Sequence, residues 1–245
     1  MKTALVTGGQ RGIGRAIAEA LSGAGWAVVI AAEVPHDHPD VLATLAATGA
    51  RYVRHDLADI AAIPATLEAV GPVTCLVANA GVAARVRADM LEVAPEDFDF
   101  VMDINCRGTF FLAQAVARAM VGAPSEAYRS LLFVTSVSAA FASVERAEYC
   151  VSKSAGAMMA QLFAVRLASE GIGVFDLRPG IIETPMTAGI KDKYSARITG
   201  GLVPAARWGT GADVAQTVVP LASGAFGFAS GMVVPVDGGL SIPRL

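Results

Sequence analysis

An open α/β sheet of about seven parallel strands, doubly wound with helices on both faces, is the fold class this sequence predicts. Three observations carry it. Short apolar runs alternate with longer helix-favouring segments along all 245 residues. The strand-like runs are apolar throughout rather than at every second position, as in strands buried on both faces of a parallel sheet. The first run stops at a cluster of glycines that opens directly into a helix, a junction suited to holding a phosphate.

Residues 3–7 form the first strand, and 13–24 favour helix up to Gly25. A second strand covers 27–32, followed by a polar loop at 33–40, a short helix at 41–47 and a third strand at 52–55. Helix over 60–70 leads to a strand at 73–78. One long helix is expected over 95–121, because Pro95 suits a first turn and Glu96 and Asp97 favour the positive end of the dipole. A strand at 131–135 precedes a second long helix at 147–169, which Gly171 ends. Strand 174–177 stops at Pro179-Gly180, helix 213–221 follows, and 232–236 is the last strand. Such alternation implies right-handed crossovers and a Rossmann-type sheet. No repeat or linker divides the chain, so one domain is expected over 1–245. The long irregular stretch, 183–209, suggests a substrate lid at about 184–208, part of it helical around Lys191–Tyr194.

Hydrophobic residues make up 54% and charged residues 17% of the chain, against a usual charged share of about a quarter. That composition implies a large core and buried subunit contacts. A membrane span is not expected, because Gly, Pro or charge breaks each apolar stretch before about 20 residues. The N-terminus lacks the apolar length of a signal peptide, so a cytoplasmic protein is expected. A net charge of −3 without a basic block gives no support to nucleic-acid binding. Cys75, Cys106 and Cys150 are odd in number and scattered, which argues against a disulfide framework or zinc site. His36, Asp37, His38 and Asp40 cluster in a loop, where solvated side chains are a better reading than a metal site. Phe98, Phe100, Phe110 and Phe111 read as core or interface residues rather than a substrate box.

The glycine segment runs Thr7-Gly8-Gly9-Gln10-Arg11-Gly12-Ile13-Gly14. Glycines let the backbone turn sharply and approach a pyrophosphate, and the helix start offers free N–H groups and a positive dipole end. An ordinary strand-to-helix turn does not need this many glycines, and the position between first strand and first helix is the one the motif requires. The spacing, Gly-x-x-x-Gly-x-Gly, resembles the fingerprint of the short-chain dehydrogenase/reductase family. Further segments resemble that family in its own order: Asp56-Leu57 after the third strand, Asn79-Ala80-Gly81 after the fourth, Arg178-Pro179-Gly180-Ile181 with Ile182 and Thr184, and the Val236-Asp237-Gly238-Gly239 end. The resemblance spans almost the whole chain and implies a nicotinamide dinucleotide held by Gly8, Gln10, Arg11, Gly12, Ile13, Gly14, Glu33, Asp56, Leu57, Asn79, Ala80, Gly81, Tyr149, Lys153, Pro179, Gly180, Ile182 and Thr184. Ala78 departs from the family's first Asn in the Asn-Asn-Ala-Gly motif. An acid at the end of the second strand binds ribose hydroxyls and repels a 2′-phosphate. Here Glu33 stands one place later than the family position, at Ala32, and Arg11 favours NADP. On balance NAD is expected over NADP.

The chemical residues follow. Tyr149 and Lys153 lie four apart on one face of a helix, and Ser136 ends the fifth strand thirteen residues before Tyr149. Strand end and helix face can converge at the carboxyl edge of the sheet. Reducing a ketone needs a hydride at carbon and a proton at oxygen. Tyrosine is a poor base near neutral pH, and a neighbouring ammonium favours its phenolate. The resemblance implies Tyr149 as general acid and base, Lys153 beside it and on the nicotinamide ribose, Ser136 on the substrate oxygen, and Asn105 holding a water that relays protons. Each has an ordinary structural reading: a strand-end cap for Ser136, an interface aromatic for Tyr149, a buried amide for Asn105. Ser138 is two residues too close to Tyr149 to replace Ser136.

The expected partner is a small carbonyl or alcohol substrate. Within the family the chain is similar to 3-oxoacyl-carrier-protein reductases. Those that serve fatty-acid synthesis commonly carry a basic residue where this chain has Glu170, which an acidic carrier would not favour. A sugar, polyol or other small alcohol is therefore at least as good an expectation as an acyl thioester. A non-catalytic dinucleotide sensor of the same fold is the alternative, although sensors tend to lose the Tyr or Lys. Epimerases and dehydratases of related fold are longer. The resemblance also implies a homotetramer or homodimer built on helices 95–121 and 147–169, with Phe110, Phe111, Met158, Met159 and Phe163 contributing and the 241–245 tail crossing to a neighbour.

Overall fold

The computed structural model describes residues 2–123 and 125–244. Seven strands, β1 (Thr3–Thr7), β2 (Ala27–Ala32), β3 (Arg51–Arg54), β4 (Cys75–Ala78), β5 (Arg129–Val134), β6 (Ile172–Pro179) and β7 (Val233–Val236), form one sheet in the order β3-β2-β1-β4-β5-β6-β7. All neighbouring pairs are parallel. The order reverses between β1 and β4, so their connections leave in opposite directions and open a crevice at the carboxyl ends.

Among the described residues there are eight α-helices: α1 (Gly12–Gly23), α2 (Pro39–Thr48), α3 (Ile63–Val70), α4 (Pro95–Met102), α5 (Thr109–Gly122), α6 (Ala147–Leu167), α7 (Lys191–Thr199) and α8 (Gly211–Ala222). The sheet separates two cores. On one side Leu5, Leu76, Leu131 and Phe133 meet Leu112 and Val116 of α5 and Phe163 and Leu167 of α6. On the other, Val6, Val77, Leu132 and Phe175 meet Ile17 and Leu21 of α1 and Val214 and Val218 of α8. Adjacent strand residues such as Leu131 and Leu132 point into opposite cores, which is why the strands are apolar at every position.

The helix expected over 95–121 is broken: α4 and α5 are joined by a π-helical turn, Asp103–Gly108. Its causes are tertiary. The Asn105 side chain bonds the backbone of Val82 in both directions, Val82 N–H donating at 2.7 Å and Asn105 Nδ2 donating back at 2.9 Å. At Gly108 the turn lies so close to the Leu57 carbonyl that a Cβ would collide with it, and Thr109 Oγ1 donates to the Ile104 carbonyl at 3.1 Å. Within 183–209 the structure holds a 3₁₀ segment, Pro185–Ile190, and α7, which begins at the Lys191–Tyr194 segment where helix was expected. Arg244 donates to the Gly201 and Leu202 carbonyls at 3.3 and 3.1 Å; Leu245 lies outside the described residues. His38 has a structural place, as N-cap of α2 with its Nδ1 accepting from Asp40 N–H at 3.2 Å.

The outer face of α5 and α6 also differs from expectation. Met159 and Phe163 are buried, and Phe110 is partly buried against the same core. Phe111, Val121, Val151, Met158, Leu162 and Val165 are exposed apolar residues of these helices. Among the described residues, no helix is long and apolar enough to cross a membrane.

Gly108→Ala should destabilise the protein by about 3 kcal/mol, the upper range for overpacking, because the Leu57 carbonyl cannot turn aside as a side chain could. The midpoint of denaturant unfolding measures this.

Candidate active site

The carboxyl ends of the strands open into a cleft of about 830 Å³. Its floor is built by two loops locked to each other. Thr7 Oγ1 accepts from the N–H groups of Asn79 and Ala80, both at 3.0 Å. Asn79 Nδ2 donates to the Thr7 carbonyl at 2.9 Å and more weakly to Gly8 at 3.4 Å. Gly8 and Gly12 have φ of 64° and 55°, a region side chains disfavour. A Cβ on Gly14 would collide with the Gly8 carbonyl and the Asn79 amide.

This floor fits a dinucleotide. Arg11 caps α1 without a side-chain hydrogen bond, so the first N–H groups of the helix are available to a phosphate. Gln10 is 4% exposed, yet its Oε1 has no partner. Above Gly12 the nearest side chain is Thr184, 3.7 Å from where a Cβ would stand. Gly180 approaches Asp237 so closely that a Cβ would overlap its backbone, and its N–H bonds the Val236 carbonyl at 3.0 Å. Glu33 and Asp56 are exposed carboxylates at one end of the cleft, where β2 and β3 finish.

At the other end Ser136, Tyr149 and Lys153 line the same cleft. Ser136 follows β5 and its Oγ accepts from Ser138 N–H at 3.0 Å. Tyr149 and Lys153 sit one turn apart on α6, with Lys153 Nζ 5.5 Å from the Tyr149 ring centre. Lys153 is 9% exposed and donates to the Val134 carbonyl at 3.2 Å, which leaves two of its three donors for other partners.

Of the residues expected at the site, Asn105 alone does not line the cleft. Its amide is engaged by Val82 and by Ser152 Oγ, the latter at 3.1 Å, and Ser152 Oγ donates to the Tyr149 carbonyl at 2.8 Å. Its side chain therefore ties the loop after β4 to α6. Phe100, expected in the core or an interface, lines the cleft, as do Arg146 and Ser138, which sequence reasoning did not place there. Their closeness in sequence to Tyr149 and Ser136 was the available signal.

The segment over the cleft is anchored at its base. Glu183 N–H donates to the Gly209 carbonyl at 2.8 Å and Gly209 N–H to Ile181 at 2.9 Å. Arg207 grips Asp213 with two hydrogen bonds of 2.8 and 2.7 Å, holding that carboxyl well below the usual carboxylate range. Trp208 Nε1 donates to Ser195 Oγ at 3.0 Å.

Sheet order, glycine loop and cleft together define a nicotinamide-dependent oxidoreductase of the Rossmann type. The chain belongs to the short-chain dehydrogenase/reductase family: a family model described as enoyl-(acyl carrier protein) reductase matches residues 8–241. It is similar to a crystal structure of a 3-oxoacyl-[acyl-carrier protein] reductase from Brucella melitensis in complex with NAD, with 44% identity over 100% of this chain and 98% of that one and a TM-score of 0.93. It is 34% identical to the 3-oxoacyl-[acyl-carrier-protein] reductase MabA of Mycobacterium tuberculosis, covering 98% of this chain and 93% of the relative. It is 33% identical to L-xylulose reductase of Bos taurus, covering 97% and 96%.

Proposed function

We propose that the protein interconverts a secondary alcohol and a ketone, with Tyr149 as the general acid and base. The observation that carries this reading is the presence of Ser136, Tyr149 and Lys153 on one wall of the cleft whose floor fits a dinucleotide. The bound nicotinamide would supply or accept the hydride. Tyr149 gives its phenolic proton to the carbonyl oxygen in reduction and takes it back in oxidation. Lys153 places a buried ammonium beside the ring, where it stabilises phenolate charge. Ser136 Oγ accepts from Ser138 N–H, so its own hydrogen is free to point at the substrate oxygen and steady a developing alkoxide. Asn105 acts as a positioning residue through Val82 and Ser152. No observation favours the sensor alternative.

NAD is the proposed cofactor, because Glu33 is exposed in the cleft next to the end of β2 and the Brucella relative was solved with NAD. The substrate is a small alcohol, sugar or polyol, or a 3-oxoacyl thioester. Glu170, paired with Arg166 at 3.1 Å, supports the smaller substrates over an acidic carrier. Residues 184–208 act as the lid. The exposed Phe111, Met158, Leu162 and Val165 support assembly into a homotetramer.

Tyr149→Phe should keep dinucleotide affinity and lower kcat by roughly 10²–10⁴-fold, the usual share of acid–base catalysis; turnover equal to wild type, followed at the reduced-nicotinamide absorbance band, would remove Tyr149 from this role. Glu33→Ala should raise the NADP-to-NAD ratio of kcat/KM by roughly tenfold, the factor that about 1.4 kcal/mol represents; an unchanged ratio means the carboxylate does not reach the ribose. In light scattering the wild type should run as a tetramer and Leu162→Asp/Val165→Asp as a smaller species. An unaltered mass in the double variant places the interface elsewhere.

A further inference from the structure

The carboxylates of the cleft, Glu33 and Asp56, stand at one end, after β2 and β3, and Arg11 lines the glycine floor. The remainder of the lining, beyond Ser136 and Tyr149, includes Arg87, Arg146 and Arg197 and, among the described residues, no carboxylate. None of these three arginines forms an ion pair among the described residues. Arg87 and Arg197 are exposed at the mouth. Arg146 lies deeper: its guanidinium carbon is 5.4 Å from the Tyr149 ring centre, and its Nε is buried without a hydrogen-bond partner.

A second group shares this condition. Ser138 is 2% exposed and lines the cleft, and its Oγ is also buried without a partner. Buried polar atoms in folded proteins are nearly always paired, and leaving one unmade carries a desolvation cost. Neighbouring acids do not resolve it. Glu145 pairs with Lys193 of the lid at 3.5 Å. Glu148 is 1% exposed, does not line the cleft and forms no ion pair with Arg146, its own Oε2 being buried without a partner as well. The two orphaned donors thus flank the proposed reacting centre, Ser138 two residues after Ser136 and Arg146 three residues before Tyr149.

We infer that Arg146 and Ser138 form an anion subsite, and that the substrate is a hydroxy acid or its oxo acid, bearing a carboxylate close to the carbon that exchanges hydride. This deepens the dehydrogenase reading and rests on it. A planar guanidinium matches a carboxylate, which can accept two parallel hydrogen bonds from it, and the Ser138 hydroxyl is a further donor lining the cleft. A neutral polyol leaves the guanidinium unpaired, and an acyl thioester brings no charge to that position. The subsite also orients the substrate: with the carboxylate held at Arg146, the neighbouring carbinol is presented to Tyr149 and Ser136.

The test is calorimetric titration of the NAD-loaded protein with 3-hydroxybutyrate and gluconate, with the corresponding amides, and with inorganic phosphate. At least one acid should bind tenfold or more tightly than its amide, and more tightly than phosphate. Arg146→Gln should abolish that preference with dinucleotide affinity retained, Arg146→Lys should keep part of it, and Ser138→Ala should weaken acid binding several-fold. Tyr149→Phe should retain the full preference, so loss of the acid–base reading would be seen in turnover and not in these affinities. Equal binding of acid and amide, no binding of either acid, tighter binding of phosphate, or a preference that survives Arg146→Gln overturns the inference. Should Arg146→Gln fail to bind dinucleotide, an undiminished preference in both Arg146→Lys and Ser138→Ala overturns it instead.

Discussion

The active face hangs on one chain of hydrogen bonds that begins at the Thr7 hydroxyl. Thr7 fixes Asn79 and Ala80 at the end of β4. Two residues later Val82 exchanges a pair of bonds with the Asn105 amide. Asn105 passes the connection to Ser152, and Ser152 to the backbone of Tyr149. Loops after β1 and β4, the π-helical turn and the start of α6 therefore share one register. A shift in any of them moves the phosphate floor relative to the Tyr149 and Lys153 wall. The short contacts at Gly14 and Gly108 serve the same end, since each removes the clearance a side chain would need.

The polar groups on this face divide into those satisfied within the chain and those left open. Asn105 is spent on backbone and Ser152, and belongs to the first kind. Gln10 Oε1, Ser138 Oγ and Arg146 Nε are buried and open, and Lys153 uses one of its three donors. All four of the open groups line the cleft. Buried side-chain oxygens of Tyr128, Ser130 and Glu148 are also without a partner but lie away from the cleft, so it is position and not burial alone that opens the cleft groups to a ligand. The carboxylates near β2 and β3 and the arginines beyond Tyr149 give that ligand a direction.

Much of this was legible from the chain. Strand–helix alternation and apolar strands lead to the sheet because burial on both faces leaves a direct trace in composition. The glycine segment and the Ser136, Tyr149 and Lys153 spacing placed three of the four proposed chemical residues in the cleft, because strand end and helix face are local structures with fixed periods. Asn105 was found as a residue but not as an arrangement: its contacts with Val82 and Ser152 are distant in sequence, and a π-helical turn leaves no periodic signal of its own. On α6 the apolar residues run all the way around the helix. No pattern separates Met159 and Phe163, which are buried, from Leu162 and Val165, which are not.

The sequence by itself determined the fold class, the family and the residue types that can move a hydride and a proton, since these depend on short spacings and on which side chains bury. Only the tertiary structure decided which polar atoms remain without partners, at which end of the cleft the carboxylates stand, and that Arg146 stands over the Tyr149 ring. Those outcomes depend on side chains brought together from separate elements, and the distances between them do not exist until the sheet has closed its neighbours around one cleft.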